Sequence, residues 1–137
     1  MQSIHLQIVT PEKVLYESDV DSITCSTEQG QITILPNHSA LVSVLLASDA
    51  HIVKQNEIIP IVVGQGVLQV SSNQCYMMVN TAEHIDGIDL ERAESAASRA
   101  RAFMDSKEFG SDIEFARVQA LLDRNLARIK AVQKWKK

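Results

Sequence analysis

Residues 88–107 read IDLERAESAASRARAFMDSK, and in this stretch the apolar spacing becomes helical. Leu90, Ala93, Ala97, Ala100 and Met104 recur at steps of three and four, as one face of a helix requires. The seam they form is narrow and mostly alanine. Asp86 or Asp89 can cap its start, and Gly110 stops it. Serine at 111 and glutamate at 114 then make a capping box. A second helix follows, with Phe115, Val118, Leu122, Leu126 and Ile129 expected on its apolar side. So short a break implies an antiparallel hairpin, and the alanine seam lets its helices approach closely.

Upstream of residue 86 the period is two. Ile4, Leu6 and Ile8 alternate with polar residues, and Ile32 and Ile34 do the same. Strands are expected at 3–9, 13–16, 20–27, 31–35, 41–46, 50–54, 58–63, 66–71 and 75–80. Turn signals separate them, among them Gln29-Gly30, Pro36-Asn37, Gln55-Asn56, Gly64-Gln65-Gly66 and Ser72-Asn73. Pro60 marks its strand as an edge or a strand start. The fold class is therefore α+β: an N-terminal antiparallel β-sandwich, or flattened barrel, followed by a C-terminal antiparallel two-helix hairpin. The boundary is placed at residues 84/85, giving a β domain over 1–84 and a helical unit over 85–137. Short isolated helices are marginal in water, so the hairpin must pack on the β domain or on a partner. If it can do both, it is a two-state element.

Charge divides the chain in the same way. Residues 1–82 hold two basic side chains, Lys13 and Lys54, against seven acids, while residues 83–137 hold eleven basic and ten acidic ones. The last fourteen residues carry six positive charges and no acid (Arg124, Arg128, Lys130, Lys134, Lys136 and Lys137). A nucleic-acid binder would spread such charge over a face with interleaved aromatics. Here the β half is acidic and Trp135 is the only aromatic in the arm, so an acidic protein surface is the better partner. No apolar run approaches the ~20 residues of a membrane span. The start, MQSIHLQIV, lacks the signal-peptide pattern, so an intracellular protein is expected.

Enzyme chemistry finds little support. The corner GQITILPNHSAL, residues 30–41, places His38 beside Asn37, but no glycine-framed nucleophile or positioned carboxylate accompanies it. His5, His51 and His84 make no metal-ligand spacing, and Cys25 and Cys75 read as two buried thiols. Neither a Walker loop nor GxGxxG is present. Arginines nevertheless recur at 92, 99, 117, 124 and 128. If the hairpin turns near residues 109–111, facing positions sum to about 220, which brings Arg92 near Arg128 and Arg99 near Arg124. Guanidinium groups converging in this way can hold a polyphosphate. Glu91, Glu94 and Asp123 offer the ordinary alternative, a solvated ion-paired face, and on spacing alone that is the default.

Taken together, GQITILPNHSAL, Thr81-Ala82-Glu83, the run IDLERA at 88–93 and the hairpin resemble the epsilon subunit of the rotary proton-translocating ATP synthase. The likeness covers essentially the whole chain in the same order. Two local departures are His38-Ser39-Ala40, where the family usually has His-Ala-Pro, and Gly64-Gln65-Gly66-Val67, where Gly-Gly-Phe is common. The resemblance implies a non-catalytic central-stalk subunit that couples rotation to ATP synthesis, with the gamma subunit, the rotor c-ring and the catalytic alpha and beta subunits as partners. Glu28, Gln31, Pro36, Asn37 and His38 would face rotor and gamma. The hairpin would inhibit ATP hydrolysis when extended, through Arg124, Arg128, Lys130 and Lys134. When folded it would bind ATP as a regulatory ligand through Glu83, Ile88, Asp89, Arg92, Ala93, Arg99, Arg124 and Arg128. No cofactor, metal or nucleic acid is required. The expected place is the cytoplasmic face of a bacterial inner membrane or its organellar equivalent, with membrane association only through the complex. A free-standing ATP-sensing module and a basic-tailed nucleic-acid binder are the alternatives.

Overall fold

The computed structural model describes residues 2–106 and 112–135, and the expected helix stop at Gly110 and cap at Ser111 lie outside them. Ten strands come first: β1 (Ile4–Val9), β2 (Val14–Val20), β3 (Ser22–Thr27), β4 (Gly30–Ile34), β5 (Leu41–Leu45), β6 (Ser48–Lys54), β7 (Glu57–Val63), β8 (Gly66–Ser71), β9 (Gln74–Val79) and β10 (Ala82–His84). A single 3-10 turn, Ile85–Gly87, leads into α1 (Leu90–Ser106) and then α2 (Asp112–Trp135).

The strands pair in the order β10-β7-β6-β3-β5-β8-β9-β1-β2, with β4 attached to β3. The path curls back on itself, because Lys54 of β6 hydrogen-bonds Ser18 of β2 and the Asp21 N–H donates to the Val53 carbonyl at 2.7 Å. A nearly closed, flattened barrel results. Its interior is filled by the alternate residues of each strand, including Ile4, Leu6, Ile8, Ile23, Ile34, Ile52, Leu68 and Met77, all fully buried. Branched aliphatics do this work in a protein with few aromatics. Cys25 and Cys75 lie in the same core as free thiols. Burial pushes them up to about 11 and about 12, so neither is a nucleophile at neutral pH.

Four differences from the sequence expectation have local causes. The sheet is not wholly antiparallel: β1 runs parallel to β9, because these strands lie far apart in sequence and no tight turn sets their direction. The expected strand 20–27 breaks at Asp21, whose carboxylate takes the Gln55 N–H at 3.0 Å. Strand β2 runs to Val20 through the polar run Glu17-Ser18-Asp19, which the alternation rule passes over. As an edge strand β2 gains from such charge, which discourages edge-to-edge pairing. Strand β10 is only three residues long and was not expected as a strand. It covers β7 from Ile61 to Val63 and stops short of Pro60, so the proline sits where β7 is locally an edge.

The turns follow their chemistry. Gln55-Asn56 and Ser72-Asn73 both have positive φ at two consecutive residues, the type I′ geometry that matches strand twist. Gly66 answers to a different constraint. A Cβ there would lie 2.0 Å from the Met78 carbonyl oxygen on the paired strand β9, so only glycine lets the two backbones meet. Gly66→Ala should therefore cost about 2 kcal/mol in denaturant unfolding, within the range for overpacked sites. The edge carries a milder pH term. His5 of β1 donates from both ring nitrogens, to Asp19 and to Glu17 of β2, each at 2.9 Å, and these bonds raise its pKa above 6.5. Its contribution should be complete below about pH 6.5 and fade as pH rises through the raised value. His5→Gln should remove that slope from a pH series of melting curves.

Candidate functional site: a basic cleft under the docked hairpin

The hairpin lies on the β domain through α2. Asp49 of β6, Val62 of β7 and Glu83 of β10 stand opposite one another and form one cross-strand row, so their side chains share a face. Two strand spacings separate Asp49 from Glu83, roughly 9.6 Å. On α2, six residues separate Arg128 from Lys134, a rise of about 9 Å. The spacings match and the charges meet. Arg128 is ion-paired with Glu83, while Lys134 lies 3.6 Å from Asp49 and Trp135 Nε1 donates to the same carboxylate at 3.1 Å. Between these ends Ala127, Ala131 and Val132 close over Val62, Ile85 and Ile88. Ala131 is fully buried, because nothing larger fits where the helix touches the sheet.

The other face of α2 meets α1. Leu122, with Val118 and Ile129, packs on Ala97, Ala100 and Met104, so most of the expected seam is in place. Two of its members are not. Phe115 and Leu126 are 37% and 39% exposed, and Ala127, Ala131 and Val132 are buried in their stead. Helix α2 has two neighbours at different angles, and a single expected stripe cannot describe both. Of the two candidate caps, Asp89 is the one used: its Oδ1 accepts the Arg92 N–H at 3.1 Å. Asp86 lies in the 3-10 turn.

Docking in this way leaves an open cleft of about 470 Å³ at the junction, within the range of small-molecule sites. Glu83 comes from β10, Gly87 and Ile88 from the connecting turn, Asp89 from the cap, Arg92, Ala93, Ala96 and Arg99 from α1, and Leu121, Asn125 and Arg128 from α2. Three guanidinium groups thus share one space with two carboxylates. Asn125 is buried and braces Arg128: its Oδ1 accepts from Nη1 at 3.0 Å, and its amide donates to the Leu121 carbonyl at 2.9 Å.

Seven of the eight residues expected to hold a nucleotide line this cleft. Arg124 does not, although it lies on the α2 face between Leu121 and Arg128. Its Nε is buried with no hydrogen-bond partner among the described residues, and a buried unpaired donor of this kind calls for an explanation. Among the residues expected to meet catalytic subunits, Arg128 and Lys134 are held by acids of the β domain, while Lys130 is exposed.

The expected docking residues separate into two places. Glu28 and Gln31 are exposed at the β3–β4 turn, whereas Pro36-Asn37-His38 lies at the far end of β4. That strand of five residues spans roughly 16 Å. The corner is a type II turn: the His38 N–H donates to the Leu35 carbonyl at 3.2 Å, and Asn37 has φ 64°. The His38 Nδ1–H donates to the Ser39 carbonyl, a local backbone contact.

Sequence reading missed an apolar outer face. Val42 and Val44 of β5, Val67 of β8 and Met78 of β9 are 70%, 44%, 38% and 42% exposed. Val44, Val67 and Met78 form one cross-strand row. The signal was LVSVL itself, where Ser43 is buried and the valines point outward, an inverted pattern. No helix among the described residues is long and apolar enough to cross a membrane.

A β-sandwich carrying a helical hairpin with a basic cleft at their junction is the class these features define. Comparison with known proteins gives it a family. The profile described as "ATP synthase, Delta/Epsilon chain, beta-sandwich domain" matches residues 3–85. That for the "long alpha-helix domain" of the same chains matches residues 86–133. The ATP synthase epsilon chain of Desulforamulus reducens is 34% identical over 128 residues, covering 93% of this chain and 96% of its own. That of Chloroflexus aggregans is 35% identical over 130 residues, with 95% and 92% covered. A chain in the cryo-EM structure of the Euglena gracilis mitochondrial ATP synthase superposes with a TM-score of 0.81 at 18% identity, over 96% of this chain and 82% of that one. One from the central stalk/c-ring of the Tetrahymena thermophila mitochondrial enzyme gives 0.60 at 16% identity, over 99% and 98%. The chain belongs to the ATP synthase delta/epsilon family. Within it, the chain is of the epsilon type.

The ion pair at the cleft makes a stability prediction. Arg128→Ala should lower the protection of α2 amides from hydrogen exchange by about 1 kcal/mol, the upper end of the range for surface pairs because this one is partly buried, and leave β-domain amides unchanged.

Proposed function

We propose that this protein is the non-catalytic epsilon subunit of the ATP synthase central stalk, and that its hairpin is a nucleotide-sensitive brake on ATP hydrolysis. The observation that carries the reading is the cleft where Arg92, Arg99 and Arg128 converge between the docked hairpin and β10. A triphosphate placed there would meet charge-assisted donors from both helices. Arg124 has a buried donor without an acceptor on the same helix face, and it could join them after a small rotation.

The cleft exists only while α2 sits on β6 and β7, so any ligand in it favours the docked state. A ligand at a hundred times its dissociation constant adds about 2.7 kcal/mol to docking. Without it, the contact rests on Ala127, Ala131 and Val132, the Trp135 ring with its hydrogen bond to Asp49, and two partly buried ion pairs. Such a contact can come apart. Release would free Arg128 and Lys134 from Glu83 and Asp49, and with Arg124 and Lys130 they could meet acidic surfaces of the catalytic alpha and beta subunits.

The β domain supplies attachment. Its outer face of Val42, Val44, Val67 and Met78 suits a stable apolar interface with gamma. Glu28 and Gln31, at the other end of β4 from the His38 corner, are exposed for polar contact with the c-ring. The subunit would then sit peripherally on the cytoplasmic face of a bacterial membrane, held there by the complex.

ATP titrated into the isolated protein at millimolar concentration should shift hairpin amide resonances. Arg92→Ala and Arg99→Ala should each weaken that response about tenfold or more, and both side chains are exposed enough to be lost without unfolding. Unshifted amides at millimolar ATP would end the nucleotide reading. In the assembled enzyme, removal of residues 86–137 should raise ATP hydrolysis, and an unchanged rate would end the brake.

A further inference from the structure

Of the contacts that hold α2 down, the one at its C-terminal end is built around a histidine. His51 of β6 lies two residues beyond Asp49, on the same face of the strand. Its ring centroid is 5.4 Å from that of Trp135, with the planes inclined at 54°. Lys134 places its ammonium 4.9 Å over the Trp135 ring and 3.6 Å from the Asp49 carboxylate, whose side chain is only 10% exposed. The residues opposite His51 on the flanking strands are Pro60 of β7 and Thr24 of β3, neither of them titratable. The charged groups facing the imidazole are thus Asp49 from its own strand and Lys134 from α2. These two offset each other, and the seam is balanced with His51 neutral.

We propose that this seam is an acid-released latch: a proton added to His51 loosens the end of the hairpin from the β domain. The added charge would sit half-buried next to the Lys134 ammonium, and the single carboxylate present is already shared between Lys134 and the Trp135 N–H. Undocking removes the cost, because it returns the ring to water and carries Lys134 away. Burial first, and Lys134 second, hold the His51 pKa below 6.5 in the docked state, while Asp49 opposes them. The docked state therefore binds fewer protons than the released one. Docking is at full strength above about pH 6.5 and weakens as pH falls through that value, until the depressed pKa is passed. Each unit between the two values changes the docked-to-released ratio about tenfold. The latch depends on the hairpin being able to leave the β domain, and not on the nucleotide cleft.

Trp135 is the only tryptophan in the chain, so its emission reports on this seam alone. The test uses the full-length protein without nucleotide, so a failed ATP site has no bearing on it. Acrylamide quenching of Trp135 and the amide shifts of Ala127, Ala131 and Val132 are followed between about pH 7.5 and pH 5.5, the range of histidine titration. Ala131→Arg, at a position with no free space, defines the released signals. Acid should move the wild type several-fold towards the Ala131→Arg signals. His51→Phe, which keeps a ring against Trp135 but takes no proton, should abolish the response; His51→Gln serves if that variant folds poorly. An acid response retained in both variants would overturn the latch, as would a wild type that stays docked at low pH while Ala131→Arg is released. An Ala131→Arg protein that remains docked would overturn both the latch and the mobile hairpin.

Discussion

The match between the row Asp49–Val62–Glu83 and the charged end of α2 is the constraint on which the rest depends. A helix crossing strands must find partners at the strand spacing, and a rise of about 1.5 Å per residue makes a step of six residues close to two strands. Arg128 and Lys134 supply that step, and the alanine at 131 lets the backbone down onto Val62 between them. With α2 placed, α1 packs on its other face. Its seam of alanines can only face Leu122, and the arginines at 92 and 99 are carried into the same space as Arg128. The cleft is a consequence of this docking.

The energetic character of that contact suits a reversible element. The barrel core buries branched aliphatics completely within a nearly closed ring of strands. The hairpin interface instead uses small residues, which bury little area each, with the single large Trp135 ring and ion pairs that keep part of their surface in solvent. This difference in packing is what supports the proposal of a stable platform with a releasable arm. On the proposed function, ligand or proton would act on this contact and leave the barrel core intact.

Much of this was legible from residue order. The change of period near residue 86 separated sheet from helices, and the turn pairs Gln55-Asn56 and Ser72-Asn73 fell where strands reverse. Asp89 was one of two expected caps, and position sums in the hairpin brought Arg92 to Arg128. Other features escaped because they depend on two elements at once. The buried side of α2 answers to both α1 and the sheet, so Leu126 and Phe115 lie outside while Ala131 is inside. The β5 strand carries its valines outward and Ser43 inward, which alternation alone reads in reverse. Strand β10 is too short to show a period.

The sequence by itself determined the two-part architecture, the acidic β half with its basic helical arm, and the family, because periodicity, charge and local motifs are properties of neighbours along the chain. Tertiary structure alone decided that β1 runs parallel to β9, that Arg124 stays out of the cleft lining, and that His51 ends under Trp135. Each of these joins residues tens of positions apart, and their distances are set by how helix and sheet pack, which no local spacing encodes.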